Sequence, residues 1–257
     1  LTRKDSKMPA DQFTRLRLLV GDEGLSRLQN AFVVVAGLGA VGSYAVEALA
    51  RAGLGRLRLI DNDVVSLSNL NRQLFALHST IGQPKAQIAD ARVQDINPAC
   101  KTEPVQAFIN AESIPDLLSG NPDFVVDAID SLNPKTELIS YLRTNNMPFI
   151  SAMGAALRTN PALIQTGAMS KVNHCRLAFM LRKRLRRRGV PLDFPCVFST
   201  ESREHIPAPV YPEESELTPG LGRERTVMGS LPTITGIFGL TLANYVIQNL
   251  IASKPLA

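Results

Sequence analysis

The segment VVVAGLGAVGSYAVEALARAGLGRLRLIDND, residues 33–63, joins an apolar run to a glycine-rich turn, a helical pattern and a second apolar run. Gly37, Gly39 and Gly42 have the GxGxxG spacing. Asp61 ends the second apolar run about 20 residues later, where a ribose-binding acid is expected. Such glycines permit a tight turn and a close approach of the backbone to phosphates, and the helix N-terminus favours an anion. The segment therefore predicts nucleotide binding, with NAD and ATP both open because each contains a ribose.

Short apolar runs alternate with helical patterns through the first 150 residues. Apolar strands between helices are typical of a parallel sheet covered on both faces. We therefore predict an α/β fold with a doubly wound, Rossmann-like sheet, extended by an irregular second half. The expected strands are Phe32–Ala36, Arg58–Ile60, Phe124–Val126 and Phe149–Ser151, and the expected helical segments are Ala10–Asn30, Val41–Arg51, Pro84–Asp95 and Pro134–Thr144.

Beyond Ser151, Pro and Gly are scattered on either side of a basic helical segment. No long polar linker separates the halves, so we predict one domain over residues 10–253. Residues 10–150 form its nucleotide-binding half, and residues 151–253 form a half for substrate and dimer contacts. Residues 1–9 mix charges with small side chains and are expected to be a disordered tail. The stretch from Ser202 to Arg225 is expected to be a mobile loop.

Cysteine usage and one uncharged segment limit the class of protein. Cys100, Cys175 and Cys196 form no CxxC pair and no even set, so neither a zinc knuckle nor a secreted disulfide framework is indicated. A reduced, cytoplasmic location is the resulting expectation. Met228–Ser253 is uncharged and long enough to span a bilayer. Its many polar side chains would be poorly satisfied in lipid, so a buried C-terminal helix is favoured over membrane insertion.

Charged side chains accumulate after Asp61, where a dehydrogenase normally continues into an ordinary helix. Arg72 offers a rigid fork of donors that suits a triphosphate. Lys85 follows Pro84 at a predicted helix start, where the helix dipole and the ammonium both favour anions. The run VVDAIDS ends a strand with Asp127 and Asp130 at the carboxyl edge of the sheet. Paired acids at this edge suggest Mg²⁺ that bridges phosphates.

Each of these residues also has an ordinary structural role open to it. Asn69 and Asn71 suit caps or turns, and Lys85 could be a solvated lysine at a helix start. Asp127 could be a structural acid that caps the following helix. Phosphate binding is favoured because several signals of the same kind fall in register within one α/β unit.

Taken in this order, the elements resemble the ubiquitin-activating-enzyme-like adenylating family of the ThiF type, over nearly the whole chain. The resemblance implies that the fingerprint binds ATP in place of NAD, with Mg²⁺ held by Asp130. It implies catalytic roles for Arg72, Lys85 and Asp130. It also implies a homodimer in which Arg15, in FTRLRLLVG, reaches the ATP of the neighbouring subunit. The residues implied to bind the nucleotide are Gly37, Gly39, Gly42, Asp61, Asn69, Arg72, Gln73 and Lys85.

The second half is similar to the branch of this family that acts on threonylcarbamoyladenosine in tRNA. The similar segments are SAMGAALRTNPALIQ, MSKVNHCRLAFMLRKRLRRRG, CVFSTE and GSLPTITGIFGLTLANYVIQ. This resemblance implies an ATP-dependent dehydratase that activates the carboxylate of the modification and closes it into a ring with loss of water. Some branch members carry a cysteine where Met228 lies, and its absence argues against a catalytic cysteine.

One basic segment, LRKRLRRRG, carries the whole excess of positive charge. Removing its six cations would leave 22 basic residues against 23 acidic ones. Leu181 and Leu185 have helical spacing and can anchor one face, so we expect all six cations to face outward and to bind tRNA phosphates. A solvated helix face is the alternative. The six residues are Arg182, Lys183, Arg184, Arg186, Arg187 and Arg188.

Two other functions stay open. An activator of the C-terminal glycine of a sulfur-carrier protein would use the same ATP chemistry, with a cysteine desulfurase or sulfur acceptor as partner. Cys175 and Cys196 are the only candidate nucleophiles for it after Ser151, and Cys175 lies at a predicted helix start that could lower the pKa of its thiol. The third function is a non-catalytic scaffold or an NAD-dependent oxidoreductase, which the phosphate-directed residues disfavour.

Overall fold

Seven strands form one sheet in the computed structural model, which describes residues 11–202 and 228–252. The order is β3-β2-β1-β4-β5-β7-β6, and only the β6–β7 pair is antiparallel. The predicted doubly wound α/β sheet is confirmed. The strands are β1 (Phe32–Ala36), β2 (Arg56–Ile60), β3 (Lys101–Val105), β4 (Phe124–Asp127), β5 (Phe149–Ala152), β6 (Ile164–Ala168) and β7 (Pro195–Ser199).

Helices cover both faces of the sheet. Residues of α1, α2, α3 and α7 pack on one face, and residues of α4, α5 and α6 pack on the other. The tail expected at residues 1–9 and residues 203–225 of the expected loop lie outside the described residues. The helices are α1 (Thr14–Asn30), α2 (Gly42–Arg51), α3 (Lys85–Ile96), α4 (Ile114–Leu117), α5 (Leu132–Thr144), α6 (Arg176–Arg187) and α7 (Pro232–Ile251).

The central strand β1 explains why its sequence is an unbroken apolar run. Val33 and Val35 pack in the core beneath α2 and α7, whereas Val34 and Ala36 pack in the core beneath α5. All five of its residues are buried because side chains alternate between two covered faces. Since β1 lies between β2 and β4, the strand order reverses at β1. The carboxyl ends of β1 and β4 therefore flank the crevice in which such sheets bind ligands.

Three strands were not predicted from the sequence. β3 has the sequence KTEPV, and it tolerates Pro104 because it is an edge strand. β6 forms the opposite edge and has the half-buried sequence IQTGA, which gives no apolar run. β7 lies between β5 and β6 and joins residues of the second half to the same sheet.

The uncharged C-terminal helix α7 is the one helix among the described residues that is long and apolar enough to cross a membrane. It packs against α1 and α2, and 44% of its most apolar 18-residue stretch is buried. The packing is close: a Cβ on Gly239 would lie 2.8 Å from the Cβ of Tyr44, and one on Gly236 would lie 3.2 Å from the Tyr44 ring. Burial against α2 thus accounts for the small and apolar residues of this helix.

Candidate functional site

The glycine turn follows β1 at the crevice. Gly37 has φ +90° and donates its N–H to the carbonyl of Ile60 at 2.8 Å. A Cβ at Gly37 would lie 2.9 Å from the carbonyl oxygen of Ala128, and one at Gly42 would overlap the Gly37 carbonyl. Gly42 begins α2, so the turn brings the helix N-terminus against the ends of β1 and β4. Gly37 and Gly42 are therefore required by close backbone packing, which leaves the helix N-terminus available to a phosphate.

Asp61 ties the end of β2 to the glycine turn. Its carboxylate accepts the N–H of Leu38 at 2.7 Å and the N–H of Asp63 at 2.9 Å. Burial raises the pKa of Asp61, while the cation of Lys85 and the two backbone donors act against that rise. The fixed carboxylate lies at the position from which the family fingerprint holds a ribose.

Lys85 supplies a positive charge beside Asp61. It is the first residue of α3 and is only 5% exposed. Its Nζ contacts Oδ2 of Asp63 at 3.0 Å, and its backbone N–H bonds to the carbonyl of Asp63 at 3.1 Å. The alternative of a solvated lysine is therefore wrong. A buried ammonium at a helix N-terminus is suited to attract a phosphate.

The loop after β2 carries the remaining predicted nucleotide residues. A Cβ on Gly39 would lie 3.7 Å from Nε2 of Gln73, so the Gln73 amide reaches the glycine turn. Leu74 extends this link, because its N–H donates to Oγ of Ser43 in α2 at 3.1 Å. Ser43 was not singled out from the sequence, although it directly follows the last fingerprint glycine. The loop is thereby held against the N-terminus of α2.

Asn69 and Arg72 of this loop have local partners. Oδ1 of Asn69 accepts the N–H of Ser66 at 3.2 Å, which is the capping role left open by the sequence. The Arg72 guanidinium donates to the Ser68 carbonyl at 2.9 Å and to Oδ1 of Asn71 at 2.8 Å. Asn69 therefore caps the turn that begins at Ser66. The side chain of Arg72 is held by Ser68 and Asn71 of its own loop. Their contacts with a nucleotide stay a prediction.

The two acids at the end of β4 have opposite environments, and the expected pairing of them around a metal is wrong. Asp127 is fully buried, with Nζ of Lys135 at 2.8 Å and Oγ of Ser151 at 2.6 Å. Its other oxygen accepts the N–H of Ile129 at 3.2 Å. Asp130, by contrast, is exposed just before α5. Only Asp130 can therefore reach a ligand in the crevice.

Lys135 is the residue that sequence reasoning missed at this turn. Its side chain is fully buried and also donates to the carbonyl of Ile129 at 2.9 Å. In sequence it looks like an ordinary helix-surface lysine, since nothing in NPKTEL marks it as buried. Together with Asp127, it fixes the turn that supports Gly37 on one side and Asp130 on the other.

No group of three or more His, Cys, Asp or Glu side chains that could hold a metal occurs within residues 11–202 and 228–252. A magnesium ion that relies on substrate phosphates needs only one or two protein carboxylates. Asp130 alone is consistent with that arrangement.

The expectation that all six cations of the basic segment face solvent is wrong, because three of them contact other described residues. Arg182 donates to the carbonyl of Val172, Arg184 donates to Oδ1 of Asn133, and Arg188 pairs with Glu137. The last two contacts join α6 to α5, and Arg188 holds the pKa of Glu137 below its ordinary value. Lys183, Arg186 and Arg187 are exposed and form no ion pair with a described residue.

A surface cavity of about 570 Å³ lies beside these cations. It is lined by Arg182, Lys183, Arg186, Arg187, Ser170, Val172 and the aromatic ring of Phe179. Phe179 is 61% exposed. Its position among the cations was not recognised from the sequence.

The candidate cysteines are buried. Sγ of Cys175 accepts the N–H groups of Gly154 and Ala178 at 3.3 and 3.4 Å, so the thiol caps α6. Burial raises the pKa of Cys196 to about 12 and that of Cys100 to about 11. The described environments do not favour a nucleophilic thiolate at Cys100 or Cys196.

Comparison with known proteins gives matches that extend over both halves. A sequence model of the ThiF family matches residues 13–256. The chain is 37% identical over 244 residues to the tRNA threonylcarbamoyladenosine dehydratase of Bacillus subtilis, covering 93% of this chain and 94% of that protein. The crystal structure of the Escherichia coli tRNA N6-threonylcarbamoyladenosine dehydratase in complex with ATP superposes with a TM-score of 0.81 at 32% identity, covering 93% of each chain. A molybdopterin-synthase adenylyltransferase of Salmonella typhimurium is 39% identical over 136 residues, covering 53% of each protein.

Proposed function

The chain belongs to the ThiF family, and from this premise we propose that it is an ATP-dependent dehydratase that cyclises threonylcarbamoyladenosine in tRNA. The observation that carries the proposal is the extent of similarity to dehydratases, which covers 93% of the chain. Similarity to the molybdopterin-synthase enzyme covers only 53%. The dehydratases therefore share the second half, where α6 and its cavity lie, as well as the nucleotide-binding half.

The nucleotide is proposed to be ATP rather than NAD. A relative with the same fold was solved in complex with ATP. In this chain Asp61 has its carboxylate fixed by two backbone N–H groups, which leaves oxygen lone pairs for a ribose. Lys85 and Arg72 supply cations for a triphosphate, and the N-terminus of α2 supplies backbone donors. Gln73 is proposed to contact the nucleotide through its amide beside Gly39.

The chemistry follows from the poor reactivity of a carboxylate. Transfer of an adenylyl group from ATP to a carboxylate oxygen releases pyrophosphate, and transfer of a phosphoryl group releases ADP; either transfer makes that oxygen part of a good leaving group. A nitrogen or oxygen of the same modification then attacks the carbonyl carbon, the leaving group departs with the carboxylate oxygen, and the proton of the attacking atom passes to solvent. The nucleoside thereby loses one water. Because ring closure is intramolecular, positioning supplies much of the rate and no protein nucleophile is needed.

Mg²⁺ is proposed as the partner of Asp130. The exposed carboxylate at the start of α5 and the phosphates of ATP would hold the ion, which would neutralise charge that develops on the phosphates. Asp127 is not available to it, since Lys135 and Ser151 contact one of its oxygens and the N–H of Ile129 donates to the other.

A homodimer in the cytoplasm is also proposed. Arg15 is exposed near the start of α1 and forms no hydrogen bond or ion pair within the described part of the chain, whereas Arg17 pairs with Asp11 and Asp22. Leu18 and Leu19 on the same helix are 75% and 83% exposed. A second copy that covers these leucines would bring Arg15 to the neighbouring crevice.

The test is mass spectrometry of tRNA nucleosides after incubation with protein and ATP. We expect a nucleoside lighter by one water, formed only with ATP and only from tRNA that already carries threonylcarbamoyladenosine. Calorimetry should show binding of ATP with Mg²⁺ and none of NAD. An unchanged nucleoside together with adenylation of a sulfur-carrier C-terminus would replace this function with the alternative, which would bring in a cysteine desulfurase or sulfur acceptor.

A further inference from the structure

The exposed ring of Phe179 lies among cations on one helix face. Phe179, Lys183 and Arg186 follow the i, i+4, i+7 spacing, and Arg182 and Arg187 complete the basic wall of the cavity. None of the described residues that line the cavity is acidic. Its volume of about 570 Å³ falls in the range of about 300–1,000 Å³ typical of small-ligand pockets. An aromatic platform beside unpaired cations is the arrangement that binds single-stranded nucleic acid.

Arg182 contributes rigidity to this cavity. Its guanidinium donates to the carbonyl of Val172, which also lines the cavity. The wall is thus preformed, whereas Lys183, Arg186 and Arg187 keep their charges for a ligand. A duplex presents phosphates but no free base face, so it would leave the Phe179 ring without a partner.

The start of α6 is held at the carboxyl edge of the sheet. Gly154 lies just after β5 at the carboxyl edge of the sheet, and its N–H donates to Sγ of Cys175, which caps the start of α6. With a rise of 1.5 Å per residue, Phe179 lies about 5 Å along the axis from Arg176, and Arg187 lies about 12 Å further away. A base on Phe179 would therefore lie toward the end of α6 that is held at this edge, and its phosphates would follow the helix away from it.

We propose that this cavity binds an unpaired base of the tRNA substrate, stacked on Phe179, with the adjoining phosphates on Lys183, Arg186 and Arg187. The inference rests on the proposed function and adds to it the recognition of a single-stranded segment near the modified adenosine. Stacking contributes affinity without counterion release, whereas the cations contribute affinity that falls with salt.

Two substitutions of Phe179 test this proposal. Phe179→Ala should weaken binding of an anticodon stem–loop that carries threonylcarbamoyladenosine by about tenfold to a hundredfold, with an unchanged slope of affinity against salt. Phe179→Trp should retain affinity because it keeps the stacking surface. Since the chain contains no other Trp, its fluorescence reports this site alone and should be quenched by the stem–loop but not by fully paired RNA. Met180→Ala removes a neighbouring half-exposed side chain outside the cavity and is the matched control.

The outcomes separate this inference from the proposed function. If the wild-type protein binds and dehydrates the tRNA while Phe179→Ala binds the stem–loop as tightly as Met180→Ala, the stacking site is wrong and the function stands. Equal quenching of Phe179→Trp by paired and unpaired RNA would also overturn the site. If the wild-type protein neither binds nor alters the tRNA, both proposals fall. An unchanged ATP affinity shows that each variant is folded.

Discussion

At the residue scale, burial separates two acids that the sequence places three positions apart. Asp127 is the last residue of β4 and Asp130 lies just beyond it, yet the first is fully buried against Lys135 and the second is exposed. A buried carboxylate needs a partner cation and hydrogen bonds, and Lys135 and Ser151 provide them. The sequence could locate both acids at the carboxyl edge, because they end an apolar strand. It could not reveal which acid is used for structure, because that depends on a lysine buried inside α5.

We predict that Asp130→Asn and Asp127→Asn fail in different ways. Asp130→Asn should abolish turnover with little change in the free energy of unfolding, since the side chain is exposed. Asp127→Asn leaves the buried Lys135 ammonium uncompensated and should cost about 3–5 kcal/mol of stability. Urea unfolding and nucleoside turnover, measured on both variants, check this. Full turnover by Asp130→Asn would remove it from the catalytic residues.

The cysteines give a second residue-scale prediction, which concerns pH. Burial raises the pKa of Cys196 to about 12 and that of Cys100 to about 11, against an ordinary thiol value near 8.5. The folded protein therefore binds these protons more tightly, and stability should fall as the pH rises from about 8.5 toward 11–12. At pH 8 a thiol reagent should label none of the three buried cysteines until the protein unfolds.

Substitution of the same cysteines tests catalysis. Cys175→Ala and Cys196→Ala should retain turnover, because ring closure needs no acyl-enzyme. A small loss of stability is expected for Cys175→Ala, since the thiol accepts two backbone N–H groups at the start of α6. A folded but inactive variant at either position would instead support the sulfur-carrier alternative.

At the element scale, what the sequence predicts depends on how far apart the interacting residues lie. The buried strands β1, β4 and β5 were predicted to within a residue, because burial on both faces gives a continuous apolar run. β3 and β6 are edge strands with mixed sequences, and only pairing with their neighbours makes them strands. The helix α6 was expected from local spacing. The partner of its Arg188 is Glu137, 51 residues away, which local spacing cannot indicate.

Charge reversals on α6 should therefore divide into two classes. Arg186 and Arg187 are exposed beside the cavity, so reversing both to Glu should weaken tRNA binding severely and lower the salt slope by about two. Arg184 and Arg188 contact α5, so reversing them makes the same change of net charge but places Glu beside Glu137. That control should lower stability more and the salt slope less. Filter binding at several salt concentrations and thermal unfolding measure both quantities, and equal salt slopes for the two pairs would contradict the division.

At the scale of the whole molecule, one chain provides a crevice with most of the predicted nucleotide residues but leaves Arg15 apart from them. Around the ends of β1 and β2, Asp61 accepts the N–H of Leu38 in the glycine turn, the Gln73 amide lies beside Gly39, and Lys85 pairs with Asp63. No such contact links Arg15 to them among the described residues. The sequence could suggest the role of Arg15 only through the family resemblance, because a residue contributed across an interface leaves no pattern in its own chain. The exposed Leu18 and Leu19 of α1 provide a surface for contact with a second subunit.

Complementation between two inactive variants tests the shared site. Arg15→Ala should inactivate the crevice of the neighbouring subunit, and Asp130→Ala should inactivate its own crevice, so each homodimer should be inactive. After exchange of subunits in an equal mixture, half of the dimers are mixed, and each of these has one crevice with both Arg15 and Asp130. Turnover should therefore recover to about a quarter of the wild-type value, as expected for a symmetric dimer with two shared sites. Sedimentation of the wild type as a fully active monomer, or a mixture that stays inactive although exchange is complete, would show that Arg15 does not act across an interface.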